Sequence, residues 1–181
     1  MEKELRTVAT MTTLLAFLLC PAFSQGPAVD AKVRDEQDIY AAVIRHQMEE
    51  WVGGGDKSEA EAKNDNERSV AKILNFKVFF VSLNGKDPSD EFINRFRDVP
   101  RSIRKVSSAE RSKSGRRPLD KTTHLTGIVF DAEDLRWLDK DSAEVKGGYY
   151  CGGLCASGIT FTVRRENGEW VVKTSHMNWI S

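Results

Sequence analysis

The chain has few cysteines, and this scarcity limits both metal binding and disulfide formation. Three cysteines occur among 181 residues, and Cys20 lies in an apolar N-terminal stretch. Cys151 and Cys155 remain, an even number that suits an oxidising compartment. Neither a second cysteine pair nor a suitably spaced histidine pair accompanies them, which argues against a zinc site.

An excess of charge of either sign is also missing. Lys and Arg number 27 and Asp and Glu number 27, so the formal net charge is 0. This balance argues against a role that depends on binding polyanions over the whole surface. After residue 24 no run is apolar enough to cross a bilayer, so we expect no transmembrane segment after processing.

Recognisable catalytic motifs are absent as well. The sequence contains no Gly-x-Ser-x-Gly, no phosphate-binding loop, no dinucleotide-binding fingerprint and no paired-histidine metal motif. The sequence therefore names no reaction, and we expect neither a bound cofactor nor a metal.

The first residues have the shape of a signal peptide. A short apolar run over residues 14–20 precedes Ala22, Phe23 and Ser24, and a polar stretch follows. We predict a signal peptide over residues 1–24, a linker over residues 25–34, and export to the periplasm or out of the cell. An uncleaved anchor, a buried helix and lipoprotein processing at Cys20 are the alternatives.

The spacing of apolar residues predicts one long helix over residues 35–52. Acidic residues in its predicted first turn would complement the helix dipole, and the glycines at 53–55 would end it. The apolar positions at spacings of three and four are Ile39, Tyr40, Val43, Ile44, Met48, Trp51 and Val52.

The middle of the chain predicts a central strand, a short helix and a basic loop. Residues 73–83 carry apolar side chains on both faces, and Asn84-Gly85 predicts a turn after them. Asp87 is the predicted cap of a helix that stops before Pro100. Residues 101–123 hold eight basic residues against two acids, which predicts a mobile basic loop.

Alternation predicts a run of strands in the last third of the chain. These strands cover residues 125–131, 135–138, 144–150, 156–165 and 169–174. Hairpin turns are predicted at residues 139–141 and, most strongly, at Asn167-Gly168. The whole pattern predicts one α+β domain over residues 35–181, in which the long helix packs on a curved antiparallel sheet.

The C-terminal block carries a recognisable set of small and aromatic residues: Gly147, Gly148, Tyr149, Ala156, Ser157, Gly158, Thr160, Phe161, Val163, Gly168, Trp170, Val171, Trp179, Ile180 and Ser181. In these residues it resembles a family of small, exported bacterial proteins without an assigned activity. The resemblance implies export but no mechanism. The order of elements is also similar to the cone-shaped fold of nuclear transport factor 2, scytalone dehydratase and cystatin-like domains, which by itself licenses no activity.

A few side chains are candidates for a functional site. If the sheet curls into a cone, Tyr149, Thr160 and His176 would line a pocket in which His176 or Asp131 acts on a proton. Arg116 and Arg117 of the basic loop are candidates for binding phosphate, an acidic polysaccharide or lipid headgroups. Cys151 and Cys155 are spaced for a disulfide, with two free thiols or a redox-active pair as alternatives.

The favoured function is an exported, non-catalytic binding or envelope-associated module whose ligand and partner are unknown. A small cone-fold enzyme and a polyanion-binding surface protein are the alternatives. We expect no nucleic-acid partner, because the basic loop lacks interleaved aromatic residues to stack bases. The binding module and the cone-fold enzyme differ in the space that the curved sheet encloses. In a binding module Phe and Trp side chains should fill this space, whereas an enzyme needs an open pocket with a buried His or carboxylate.

Overall fold

The computed structural model of this protein describes residues 27–52, 61–110 and 117–181. The helices are α1 Pro27–Val52, α2 Asp65–Leu74 and α3 Asp90–Asn94. The strands are β1 Val78–Leu83, β2 Ser102–Lys105, β3 Ala109–Glu110, β4 Leu119–Asp120, β5 Gly127–Asp139, β6 Ser142–Gly152, β7 Cys155–Glu166 and β8 Glu169–Ile180. The predicted signal peptide and the glycines at 53–55 lie outside the described residues. No helix in the described ranges is both long and apolar enough to span a bilayer.

The main sheet is mixed, with the strand order β2-β1-β5-β6-β7-β8. Strands β5 to β8 form the expected antiparallel meander. Strand β1, however, runs parallel to both β2 and β5. The α+β class and the antiparallel arrangement of the long strands are therefore confirmed, whereas the parallel pairing of β1 was not predicted. A crossover that contains α3 joins β1 to β2, and such a connection allows parallel pairing where a tight hairpin does not.

The long helix is confirmed over residues 35–52, and it begins earlier than predicted, at Pro27. Residues 27–34, predicted as part of a linker, are therefore helical. Asp35 is consequently not in the first turn. Its carboxylate forms an ion pair with Arg165 and accepts a hydrogen bond from Trp170 Nε1 at 3.3 Å, and both partners belong to the β7–β8 hairpin.

The predicted apolar stripe of α1 packs on the sheet and forms the main core. Ile39, Val43, Ile44 and Met48 are fully buried. Buried phenylalanines pack against this stripe: Phe79, Phe130 and Phe161 from the sheet, Phe92 from α3, and Phe96 from the turn after α3. The rings of Phe79 and Phe130 meet edge to face with their centroids 5.1 Å apart, a favoured aromatic geometry.

Strand β1 is buried on both faces, as predicted for a central strand. Phe79 and Val81 point into the α1 core, whereas Val78 and Phe80 belong to a second, smaller cluster on the opposite face. The strand is shorter than expected, because it begins at Val78 and Leu74 is the last residue of α2.

The predicted basic loop over residues 101–123 contains regular structure, so the expectation of a continuous loop was wrong. Residues 102–105 form β2 at the edge of the main sheet, and β3 pairs with β4 in a small second sheet. Two of the basic side chains lie beside carboxylates: Arg104 Nε is 3.6 Å from Asp120 Oδ2, and Lys105 Nζ is 2.7 Å from Asp90 Oδ1.

The turn predictions at both Asn-Gly pairs are confirmed. Asn84 and Gly85 have φ of 50° and 73°, and Asn167 and Gly168 have φ of 52° and 87°. Consecutive positive φ values are the geometry of the tight hairpin turn that Asn-Gly favours.

Two other local predictions need correction. The predicted cap of α3 was Asp87, but the cap is Ser89, whose hydroxyl accepts a hydrogen bond from the Phe92 amide. The Asp87 carboxylate accepts a hydrogen bond from the Ser107 amide at 2.8 Å. The strands predicted at 125–131 and 135–138 are one strand, β5, with a register shift between Glu133 and Arg136.

Truncation of Phe161 tests the importance of the helix–sheet core. Phe161 is buried and stacks edge to face on His46 of α1, with ring centroids 5.9 Å apart. We expect Phe161→Ala to lower the free energy of unfolding by about 3–5 kcal/mol, because it leaves a cavity among rigid neighbours. Urea denaturation measures this, with the exposed Leu138→Ala as a control that changes stability by less than about 0.5 kcal/mol.

Candidate functional site

The space between α1 and the sheet is filled by side chains. The core cluster on this face includes Ile39, Ile44 and Met48 of α1 together with six phenylalanines: Phe76, Phe79, Phe92, Phe96, Phe130 and Phe161. Trp137 and Trp170 close one end of this space, with ring centroids 5.6 Å apart.

One polar side chain, Gln47, points from α1 into this interior and is 2% exposed. Its Nε2 donates to the backbone carbonyl of Asp131 at 3.0 Å. Gly147 lies against this bond: a Cβ there would be 2.5 Å from the Asp131 carbonyl oxygen and 3.3 Å from Gln47 Nε2. Glycine is required at this position because any side chain would collide with the contact.

The two catalytic candidates are separated on the sheet. His176 is exposed on β8 and pairs with Thr160, whereas Asp131 lies on β5 and pairs with Gly148. Three strand spacings of roughly 4.8 Å each separate β5 from β8. An imidazole and a carboxylate so far apart cannot exchange a proton directly.

The two ligand-binding candidates on the sheet lie on opposite faces. Tyr149 packs on Trp51 of α1, with ring centroids 5.0 Å apart. Thr160 alternates with the buried Ile159 and Phe161, so it faces away from α1, and its Oγ1 accepts from Asn178 Nδ2 at 3.0 Å. The predicted pocket is therefore not assembled.

The basic candidates are divided between described and undescribed residues. Arg116 lies outside the described residues. The Arg117 guanidinium lies over the Phe76 ring, 5.7 Å from its centroid. Two further cations of the predicted loop bond to backbone carbonyls: Arg101 to Val52 at 3.0 Å and Lys121 to Ser107 at 2.7 Å. These side chains hold the fold together.

Asp120 is the carboxylate that the described part of the chain buries, with 1% exposure. Its Oδ1 accepts from the amides of Thr122 and Thr123 and from the Thr123 hydroxyl, at 2.8–3.0 Å. The Thr123 amide bond, followed by the Thr123 hydroxyl, the Thr122 amide and the Arg104 charge, holds the pKa of Asp120 below its ordinary value, against the opposing effect of burial. This carboxylate organises a turn and does not face an interior pocket.

The β6–β7 hairpin carries both remaining cysteines, with Cys151 near the end of β6 and Cys155 at the start of β7. Cys151 and Cys155 lie at disulfide distance, with Cα atoms 5.2 Å apart. Between them Leu154 is 92% exposed at the hairpin tip. The loop borders a shallow depression of about 640 Å³, whose wall is completed by Arg117 and Leu119. The described residues bring an exposed apolar side chain and a guanidinium together here.

Sequence reasoning found the cysteines of this depression and Arg117, but it missed Leu119 and Leu154. Leu154 follows Gly152 and Gly153, and these two glycines predict only a tight turn. The remaining histidines add no site: His46 packs on Phe161, and His124 is exposed in a turn with φ of 56°. Within the described ranges, no group of three His, Cys, Asp or Glu side chains is placed to hold a metal ion.

Comparison of the chain with protein-family models, with curated proteins and with solved structures finds no match. The resemblance of the C-terminal block to exported bacterial proteins, and that of the element order to the cone-shaped fold, therefore stay predictions. Any functional conclusion has to come from the geometry described above.

The pH dependence of stability tests the role of Asp120. A lowered pKa means that the folded state favours the ionised carboxylate, so its contribution is complete above the ordinary value of 3.8 and is lost as the pH falls below it. We expect Asp120→Asn to cost about 1 kcal/mol at pH 7. This difference should shrink steadily below pH 4 in urea titrations, and a difference that does not depend on pH would contradict the assignment.

Proposed function

We propose that this protein is an exported, non-catalytic binding or envelope-associated module. The observation that carries the proposal is the interior between α1 and the sheet, which phenylalanine, tryptophan and aliphatic side chains fill. A catalytic cone fold needs an enclosed, hydrated concave site, and here that volume holds the core. Binding therefore has to occur on the outer surface.

The separation of the titratable candidates supports this proposal over the enzyme alternative. His176 is exposed on an edge strand, and Asp120, although buried, is occupied by the amides of its own turn. General acid–base catalysis needs a base within hydrogen-bonding reach of the atom that it deprotonates and an orienting partner for that base.

The contacts of the basic residues support it over the polyanion alternative. A polyanion site needs several cations whose charge is directed to solvent. Arg104 and Lys105 lie beside carboxylates, and Arg101 and Lys121 donate to backbone carbonyls. Binding a polyanion would have to compete with these intramolecular contacts.

The β6–β7 hairpin tip is the surface that we assign to binding. Leu154 projects fully into solvent, where an apolar side chain gains free energy only when a partner covers it. The Cys151–Cys155 pair fixes the shape of the loop that presents Leu154, and Arg117 and Leu119 flank it. A partner with an apolar group would fit this surface.

Envelope retention tests the proposed function. Cells that express the full chain are separated into soluble and envelope fractions, and we expect the wild-type protein in the envelope fraction with Gln25 as its N-terminus by mass spectrometry. Leu154→Asp should move most of the protein into the soluble fraction, because a carboxylate replaces the apolar contact.

The control for this experiment is Leu138→Asp, which changes an exposed leucine at the other end of the sheet and should leave retention unchanged. Wild-type protein that stays in the cytosol with residues 1–24 attached would contradict export. Equal retention of Leu154→Asp and wild type would contradict the assignment of the hairpin tip.

The oxidation state of the cysteines tests the compartment independently. We expect protein isolated without reductant to contain no free thiol at Cys151 or Cys155. Replacing both by alanine should lower the free energy of unfolding by about 2 kcal/mol, the entropic value for so short a closed loop. Thiol titration under denaturing conditions and urea unfolding measure the two effects, and two free thiols in the untreated protein would contradict the prediction.

A further inference from the structure

Strand β8 lies at the edge of the main sheet and is 12 residues long. The strand at the opposite edge, β2, has 4 residues. A long edge strand offers a row of backbone donors and acceptors to any extended chain, and proteins usually blunt such an edge with charge, proline or a covering element.

The second half of β8 lacks charged side chains and proline, although a register shift at Asn178 interrupts its pairing with β7. Residues 174–181 include neither Lys, Arg, Asp, Glu nor Pro. They include three exposed apolar side chains: Met177, Trp179 and Ile180 are 51%, 55% and 64% exposed. The first half differs, because Trp170 is buried there and Lys173 forms an ion pair with Glu166 at 2.9 Å.

The backbone of this half is open on its outer side. The amide and carbonyl of Ser181 bond to Ala156 of β7 at 2.9 and 3.3 Å. Because bonding direction alternates along a strand, the amide and carbonyl of Ile180 point away from β7. Within residues 27–52, 61–110 and 117–181, no strand pairs with β8 on that side.

The apolar side chains of this half lie on both faces of the sheet. Met177 pairs with the buried Ile159 and therefore lies on the α1 face. Trp179 pairs with Gly158 and covers it: a Cβ on Gly158 would be 2.2 Å from the indole nitrogen. An added strand would therefore cover apolar surface above and below the sheet at once.

We propose that a second copy of this chain pairs antiparallel with residues 174–181, forming a two-fold symmetric dimer with a sheet that continues across both molecules. In a two-fold antiparallel pair the same segment of both copies lies side by side. If that segment carried charged side chains, they would lie close to the same charges on the second copy and repel them. Residues 174–181 contain no Lys, Arg, Asp or Glu, so two copies of this segment place no such side chains opposite one another. The proposal does not depend on the proposed function, which concerns the hairpin tip.

Sedimentation velocity on the protein purified from the cells that make it tests the proposal. We expect a concentration-dependent equilibrium between monomer and dimer. Met177→Lys and Ile180→Lys should each weaken dimerisation about tenfold or more, since each places a charge on both paired strands and removes apolar burial. Leu138→Lys, at an exposed leucine on β5, is the matched control and should dimerise like wild type.

Hydrogen exchange gives a second measurement that locates the contact. Amides in residues 174–181 should exchange more slowly at high protein concentration than at low concentration, and amides of β2 should not change. Circular dichroism verifies that the lysine variants are folded. A wild-type protein that is monomeric at all concentrations, a dimer that the edge lysines do not weaken, or a different protein bound along β8 would each overturn the proposal.

Discussion

The other parts of this molecule depend on the packing of one face of α1 across the sheet. Ile39, Val43, Ile44 and Met48 present a stripe of aliphatic carbon, and phenylalanines from several strands receive it. Each of these side chains contributes roughly 1.5–3 kcal/mol on burial, so together they hold the helix and the meander in one unit. This contact also occupies the volume between α1 and the sheet, and for this reason we assign the proposed binding to the periphery.

The periphery has two distinct parts, and each follows from how a strand ends. At the β6–β7 hairpin the short loop between Cys151 and Cys155 leaves room for one residue to project, and that residue is Leu154. At the edge, Trp170 near the start of β8 is buried, whereas Met177, Trp179 and Ile180 near its end are exposed. In both places the exposed apolar side chains lie at or beside the end of a strand.

Local chemistry made part of the fold predictable from the sequence. The stripe on α1 and the turns at Asn84-Gly85 and Asn167-Gly168 depend on residues close together in the chain, and the structure confirms them. Strand β2 was missed because Ile103 is its one apolar residue and its position comes from pairing with β1. The sequence did not show which candidate side chains share a face of the sheet for a related reason: the face of each residue depends on strand register, which a single sequence does not give.

The bond between Gln47 and the Asp131 carbonyl has a consequence for the position of the helix along its own axis. Aliphatic side chains pack almost as well after a slide of one helical turn, since the stripe repeats at that interval. A slide would move Gln47 Nε2 away from the Asp131 carbonyl, while Gln47 Oε1 is buried without a hydrogen-bond partner even in the observed position. The cost of losing the Nε2 bond thus favours one axial position for α1, which the glycine at 147 leaves room to adopt.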